Sequence, residues 1–506
     1  MKKMTNPVFL GPNLLKWCDY CNIPIVSSNK CSTCNNETRE VKITPPFDVR
    51  PVFKYGLELL KRLIESAYGL NASKFLESKI ILFNRAPDID TLEEVILDGR
   101  VIGKLRFNPH LIKWQFIPTI DGALRMHAIL NKYPKWVSID KGAVPFIRRG
   151  ANILSPGIID FDKSIEKNDF VFIINPKKEL IGIGKSRYSN AEIKEMKKGE
   201  VIKSYEYIKN EKDAKILKSG QTWADVIDAN NEMIQRKVKQ SRKILRKAIQ
   251  IYPNTPIVVS FSGGKDSLCS LLITKEEIND FKIIFLNTGV EFPETVEYTK
   301  KIIKKLNLDS KLIIANAENI FWEVLPLFGM PTRDYRWCNK LLKLNLIKKV
   351  IDEQFENKIL TVVGTRKRES RSRYKEKTIS ENRNVKGQIN VNIIHNWTTL
   401  QVWIYILKMN IEFNPIYKFN FNRVGCWLCP SSKLSELETI KSTHPKLYNK
   451  LYSALKKYQK NIGAPDEYLK YGFWRWRNIS KGMNKLADEL KIRIDLDYSS
   501  YEEFNW

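Results

Sequence analysis

The run IVVSFSGGKDSLCSLLI, residues 257–273, constrains this chain more than any other stretch. Ile257, Val258 and Val259 suit a short buried strand. The run breaks at Ser260-Phe261-Ser262-Gly263-Gly264, and Leu268, Leu271 and Leu272 then recur on one face of a helix starting near Lys265. A strand, a glycine turn and a helix N-terminus form an anion site, because the turn's N–H groups point outward and the helix dipole favours negative charge. Gly263 and Gly264 let the backbone approach phosphate oxygens and take up positive φ. Ser260, Ser262, Ser267 and Lys265 add donors and charge, and Asp266 is placed to hold Mg²⁺ directly or through water. The spacing is not that of the G-x-x-x-x-G-K-[ST] phosphate loop.

A chain of 506 residues exceeds what one hydrophobic core organises, so several domains are expected. The opening MKKMTNPVFLGPNLLKWC has charges but no continuous apolar core, and no run of about 18 apolar residues occurs. A cytoplasmic protein without a membrane span is therefore expected. The formal charge of +29 suits a polyanionic partner. Eight cysteines in such a chain point to metal rather than to disulfides.

Cys18-x-x-Cys21 and Cys31-x-x-Cys34, joined by a short polar loop, have the spacing of a tetrahedral thiolate site for Zn²⁺. Residues 1–45 therefore read as a zinc ribbon stapled by its metal. Residues 46–135 read as a small α+β module, with a helix over 52–68, strands near 80–83 and 101–107, and no chemical motif. In residues 136–210 short strands alternate with Gly, Pro and Asp turns, as in a compact β-barrel. Residues 211–255 read as a helical connector whose basic half, 236–246, suits a solvated face, with an RNA track as the alternative. Residues 256–435 alternate strands and helices, which predicts an α/β doubly wound parallel sheet. Residues 436–506 read as a helical extension. Its Phe473-Trp474-Arg475-Trp476-Arg477 either stacks on unpaired bases or packs inward. Ligands bind beyond the carboxyl ends of such strands, so Thr288 and Gly289 fall where an adenine and ribose could sit. Arg366, in the basic loop 365–377, falls where phosphate contact is expected.

The S-G-G-K-D-S spacing resembles the pyrophosphate loop of the N-type ATP pyrophosphatases, which implies ATP cleaved between its α and β phosphates. SFSGGKDS, LNTGVEFPET, RWCNKLLK, GTRKRESR and VGCWLCP follow one another in the order found in the phosphoadenosine phosphosulfate (PAPS) reductase family. The order of elements in 144–201 resembles a PUA domain, an RNA-binding module. That resemblance implies that the Arg148-Arg149-Gly150 turn presents N–H groups and guanidinium charge to RNA phosphates.

Cys426-x-x-Cys429 and the distant Cys338 fall where iron–sulfur members of the PAPS reductase group carry cysteines. Those members use an adjacent cysteine pair where this chain has Trp337-Cys338, so three ligands are counted here instead of four. Three ligands suit a [4Fe–4S] cluster with one open iron, an arrangement that resembles iron–sulfur tRNA thiolases. Zn²⁺ with a fourth ligand such as His444, and bare thiols acting through persulfide, stand as alternatives. Thiol-dependent sulfonucleotide reductases use a cysteine in a C-terminal tail, and none follows Cys429 in this sequence. The sequence therefore predicts an ATP-dependent RNA-modifying enzyme, a tRNA sulfurtransferase fed by a sulfur donor. Lys265, Asp266, Cys338, Cys426 and Cys429 are its expected catalytic residues. A PAPS or adenosine phosphosulfate reductase, a non-catalytic RNA-binding protein with a regulatory nucleotide site, and a DNA sulfur-insertion enzyme are the competing readings.

Overall fold

The strand Ile257–Ser260 lies inside a six-stranded sheet ordered Leu312–Asn316, Lys282–Asn287, Ile257–Ser260, Ile359–Val362, Gln388–Val391, Ile379–Glu381. The first five strands are parallel, and the edge strand Ile379–Glu381 runs antiparallel. The sheet is therefore mixed rather than wholly parallel, because GQINV forms a fifth parallel strand and the segment before it folds back as a hairpin partner. Val258 and Val259 are fully buried, as an interior parallel strand covered on both faces requires. The structure, a computed structural model, describes residues 9–130, 132, 134–209 and 216–504. The first eight residues of the expected ribbon lie outside these.

Helix Lys265–Glu277 is buried on nearly every side up to Thr274, since it is sandwiched between the sheet and helices Asn231–Ile251 and Thr399–Lys408. Residues 222–251 form two helices, Trp223–Ala229 and Asn231–Ile251, rather than one. The break falls at Asn230. Its buried side chain accepts from the Val26 N–H (2.8 Å) and donates to the Pro24 carbonyl (3.0 Å), pairing the edge of the N-terminal sheet. That sheet comprises Leu15–Cys18, Ile23–Val26 and Arg39–Glu40, all antiparallel. Trp17, Ile23 and Ile25 share one continuous core with Met233, Leu245 and Leu268. The ribbon is thus built onto the α/β domain.

Five antiparallel strands, Val49–Pro51, Leu82–Ala86, Leu92–Leu97, Arg100–Asn108 and Lys113–Pro118, form the α+β module with helices Lys54–Tyr68 and Ile120–Ile129. The neighbouring barrel sheet is ordered Ile153–Leu154, Glu200–Tyr207, Leu180–Ser186, Phe170–Ile174, Trp136–Ile139, Ile158–Phe161. A separate core of Val137, Ile173, Ile181 and Val201 fills it. The last segment adds helices Leu434–Thr443, Pro445–Asn461, Asp466–Lys470 and Lys481–Glu489. Phe473, Trp474 and Arg475 are buried within it, so the aromatic-basic run packs inward. Among the described residues no helix is long and apolar enough to cross a membrane.

Candidate active site

The turn after Ile257–Ser260 is tied from several sides. Gly263 takes φ +70°, where a side chain would be strained, and an added Cβ would meet Thr295 Cγ2 at 2.9 Å. Its carbonyl accepts from Asn414 Nδ2 (3.2 Å), and the Lys265 N–H donates to Tyr417 Oη (2.8 Å). Ser267 Oγ donates to the Gly264 carbonyl (2.9 Å) and receives the Ser262 N–H (3.2 Å). Gly364, at the end of the next strand, has no room for a side chain, because its Cβ would lie 2.6 Å from Ser267 N. The strand end and the helix N-terminus are pressed together there, which holds the turn open toward a cleft of about 1060 Å³.

Buried charges line one end of that cleft. Lys265 Nζ lies 2.7 Å from Asp266 Oδ2, and Arg366 Nε donates to Asp266 Oδ1 at 2.6 Å. The same guanidinium reaches Asp48 at 3.1 Å, and Asp48 also accepts from the Thr399 N–H and hydroxyl, both at 2.7 Å. Burial alone would raise the two carboxyls. The Arg366 charge outweighs it, helped by Lys265 at Asp266 and by the Thr399 donors at Asp48, and holds both below their ordinary value. Burial pushes Lys265 below its usual ammonium value, with Asp266 opposing the fall. Both Asp266 oxygens are engaged by cations, so Mg²⁺ held by this carboxylate would have to displace them. Arg366 is likewise committed to two carboxylates instead of pointing freely at phosphate. Arg368 is buried on the Pro46, Phe47 and Pro12 carbonyls, and so clamps the N-terminal linker.

The cysteines occupy the same cleft. Cys338, in the short helix Trp337–Asn339, and Cys426 and Cys429, on the loop before helix Leu434–Thr443, all line it. Burial raises the thiols, Cys338 to about 11 and Cys426 to about 12. Lys343 lines the same cleft, and charge on Cys426 raises it against the lowering effect of burial. Thr288 lines the cleft at this end. Its N–H and hydroxyl donate to Glu291 (2.8 and 2.7 Å), whose carboxylate lies 3.9 Å from Cys426 Sγ. Gly289 does not line the cleft. It turns at φ +75° with a notional Cβ 2.3 Å from the Glu318 carbonyl, so its role is the turn itself. Arg333 donates to the carbonyls of Pro430 (3.0 Å), Ser431 and Ser432, and Arg475 to that of Ser432 (2.9 Å); together they fix the cysteine loop. His444 donates or accepts between Glu294 (2.9 Å) and Thr443 (2.7 Å), and both ring nitrogens are thereby used.

Cys18, Cys21, Cys31 and Cys34 form a second group, away from the cleft. Their sulfurs lie within 4.8 Å of one another, the only such ligand group among the described residues. This four-cysteine cluster can hold a metal ion. The three cleft cysteines share a cleft but do not form such a compact group. Arg148, Arg149 and Gly150 lie on the barrel outside the cleft; Arg149 Nε donates to the Pro145 carbonyl (3.1 Å), and Gly150 turns at φ +94° beside Tyr207. Asp48, Glu291, Lys343 and Tyr417 escaped the sequence reading. Glu291 and Lys343 fall inside LNTGVEFPET and RWCNKLLK, close to Thr288 and Cys338, but nothing in those runs singles them out; Asp48 is far from every expected cleft residue in sequence.

A phosphoadenosine phosphosulfate reductase domain model matches residues 256–432, and a PUA domain model matches residues 135–208. An uncharacterized protein of Methanocaldococcus jannaschii is 34% identical over 478 residues, covering 93% of this chain and 98% of that one. The adenosine 5'-phosphosulfate reductase of Staphylococcus saprophyticus is 27% identical over 39% of this chain and 79% of its own length. The tRNA-guanine(15) transglycosylase of Methanothermobacter thermautotrophicus is 25% identical over 29% of this chain and 22% of its own.

Proposed function

Because the chain belongs to the phosphoadenosine phosphosulfate reductase domain family and carries a PUA domain beside it, we propose that it is an ATP-dependent RNA-modifying enzyme that inserts sulfur into a base of tRNA. The observation that carries this reading is one cleft of about 1060 Å³ lined both by the phosphate loop and by Cys338, Cys426 and Cys429. Activation and sulfur delivery can then occur without release of the activated base.

In this reading ATP lies with its phosphates on the turn Ser262–Ser267 and Mg²⁺ beside them. The loop N–H groups and Lys265 stabilise charge as it builds on the phosphates, while Arg366 holds the Asp266 and Asp48 carboxylates beneath them. A base carbonyl oxygen attacks the α-phosphorus, the bond to the β-phosphate oxygen breaks, and pyrophosphate leaves. Hydrosulfide from the donor attacks the adenylated carbon. AMP departs with the former carbonyl oxygen, and loss of the sulfur-bound proton leaves C=S. Sulfur enters and leaves at the sulfide level, so no oxidant or reductant is consumed. Cys338, Cys426 and Cys429 would hold a [4Fe–4S] cluster, which supplies an open iron for hydrosulfide. Lys343 offsets the negative charge of the thiolates, and Glu291 is placed to take a proton. Zn²⁺ is the ion that fits the tetrahedral Cys18/Cys21/Cys31/Cys34 set.

The test is anaerobic incubation of the full chain with bulk tRNA, ATP and sulfide, followed by mass spectrometry of the nucleosides. A thionucleoside formed with AMP and pyrophosphate is expected. AMP and pyrophosphate with no thionucleoside would leave an adenylating enzyme of another product. Sulfite released from adenosine phosphosulfate would favour the reductase reading, which the similarity to the Staphylococcus enzyme keeps in play.

A further inference from the structure

The cleft has a wall that the α/β domain does not supply. Arg85, Asp88, Ile89, Thr91 and Trp114, all from the α+β module, line it. This wall is fixed in place. Buried Asp90 caps helix Leu434–Thr443 through the N–H groups of Leu434 (2.8 Å) and Ser435 (3.1 Å), and Thr91 Oγ1 meets Ser435 Oγ at 2.6 Å. From it a line of cations leads outward. Asp88 holds Arg106 at 2.6 Å at the cleft margin. Beyond Arg106 lie Lys185 and Lys203, directly opposite each other in the barrel sheet on strands Leu180–Ser186 and Glu200–Tyr207. Like charges in cross-strand register oppose folding. Neither lysine has an ion-pair partner among the described residues, nor has Arg85. The barrel strands pack on the module, since Phe172 and Ile183 share one core with Phe116 and with Leu105, the neighbour of Arg106 in sequence; burial, then the charges of Arg106 and Lys203, lowers Lys185. Half-buried Phe170, opposite Lys185 on the next strand, and Tyr205 meet edge-on at 5.4 Å beside them. Uncompensated cations interleaved with aromatic rings suit a polyanion whose bases can stack.

We propose that a single-stranded segment of RNA runs from the Lys185–Lys203 face of the barrel, past Arg106, into the cleft, where the module wall at Arg85 and Trp114 receives the target nucleotide. This deepens the RNA-modifying reading above and rests on it. A base inside a helix could not reach the phosphate loop at the cleft floor, so the acceptor must be unpaired or extruded. The path differs from docking on the Arg148-Arg149-Gly150 turn, which has no place on the cleft wall.

The test compares Lys185→Glu/Lys203→Glu with Arg148→Glu/Arg149→Glu in the full chain. Binding of bulk tRNA is read by fluorescence anisotropy across a salt series, with thermal melting to verify folding. For the lysine pair, affinity falls about tenfold or more, and the slope of log K against log salt falls by about 1.4, the value for two lost contacts to single-stranded phosphate. Photocrosslinking of thiouridine-bearing RNA to the wild-type chain gives a second readout that needs no variant, with crosslinks expected in the peptide holding Trp114. Wild-type binding that the lysine pair leaves unchanged, while the arginine pair abolishes it, overturns the path and leaves the RNA reading standing. Equal binding of a DNA duplex, or no binding of RNA by the wild type, overturns both.

Discussion

Cys18, Cys21, Cys31 and Cys34 sit on two turns of one small sheet with their sulfurs within 4.8 Å, whereas Cys338, Cys426 and Cys429 come from two distant segments and line an open cleft. The first set closes on itself, with four protein ligands around one point. The second shares its cleft with a cation, Lys343, has the Glu291 carboxylate beside Cys426, and leaves room for a ligand the chain does not supply. A closed thiolate set is a staple, because its free energy of binding is spent on holding the chain together. An open set can do chemistry because a reacting atom can enter. The surroundings agree: the ribbon cysteines share a core with the connector helices, and the cleft cysteines border the phosphate loop.

The contrast breaks most visibly under ligand removal. Cys21→Ser should lose the ribbon's metal and unfold the ribbon, since structural thiolate sites of this kind contribute on the order of 10 kcal/mol of apparent free energy. Metal analysis with thermal melting measures this. Cys426→Ala should instead keep the melting temperature close to that of the parent. Equal losses in the two variants would mean both groups are structural. Next in size is Arg366→Ala, which leaves Asp48 and Asp266 buried without their shared cation. A loss of about 3–5 kcal/mol is expected in urea unfolding. A loss under 1 kcal/mol would show that the cleft end is hydrated and the network weak.

The same carboxylates set a pH dependence in the acid range. Asp48 and Asp266 have folded-state values below the ordinary 3.8, so their contribution is fully present above that value and disappears as pH falls through the folded values. Asp48→Asn should flatten the acid limb of stability below about pH 4, and an unchanged limb would place acid sensitivity elsewhere. The smallest expected effect is that of Asp90→Ala. It removes the cap on helix Leu434–Thr443 that docks the module, for about 1–2 kcal/mol. If that variant also weakens RNA binding while leaving the fold intact, the module wall is part of the acceptor site.

Local pattern made much of this molecule legible. The strand, glycine turn and helix at 257–277 are encoded within a few residues of one another, as are the paired C-x-x-C turns, so chain geometry alone brings those groups together. The alternation of short strands and turns over residues 136–210 likewise points to the barrel, whose sheet runs from Trp136 to Tyr207. The antiparallel edge strand Ile379–Glu381 was not legible, since its direction depends on a hairpin with a neighbour and not on its own composition. The break at Asn230 was hidden for the same reason: a helical pattern runs through it, and only the exposed edge of the ribbon makes the interruption favourable.

Sequence by itself determined the strand, glycine turn and helix at 257–277, the four-cysteine cluster and the order of modules, because each rests on contacts between near neighbours in the chain. Tertiary structure alone decided that Arg366 is shared between Asp266 and Asp48, that Glu291 lies beside Cys426 and Lys343 lines the cysteine cleft, and that the α+β module forms a wall of the cleft. The physical reason is burial. A charge taken out of water must find its partner wherever the fold brings one, and Asp48 finds Arg366 and Thr399 318 and 351 residues away along the chain.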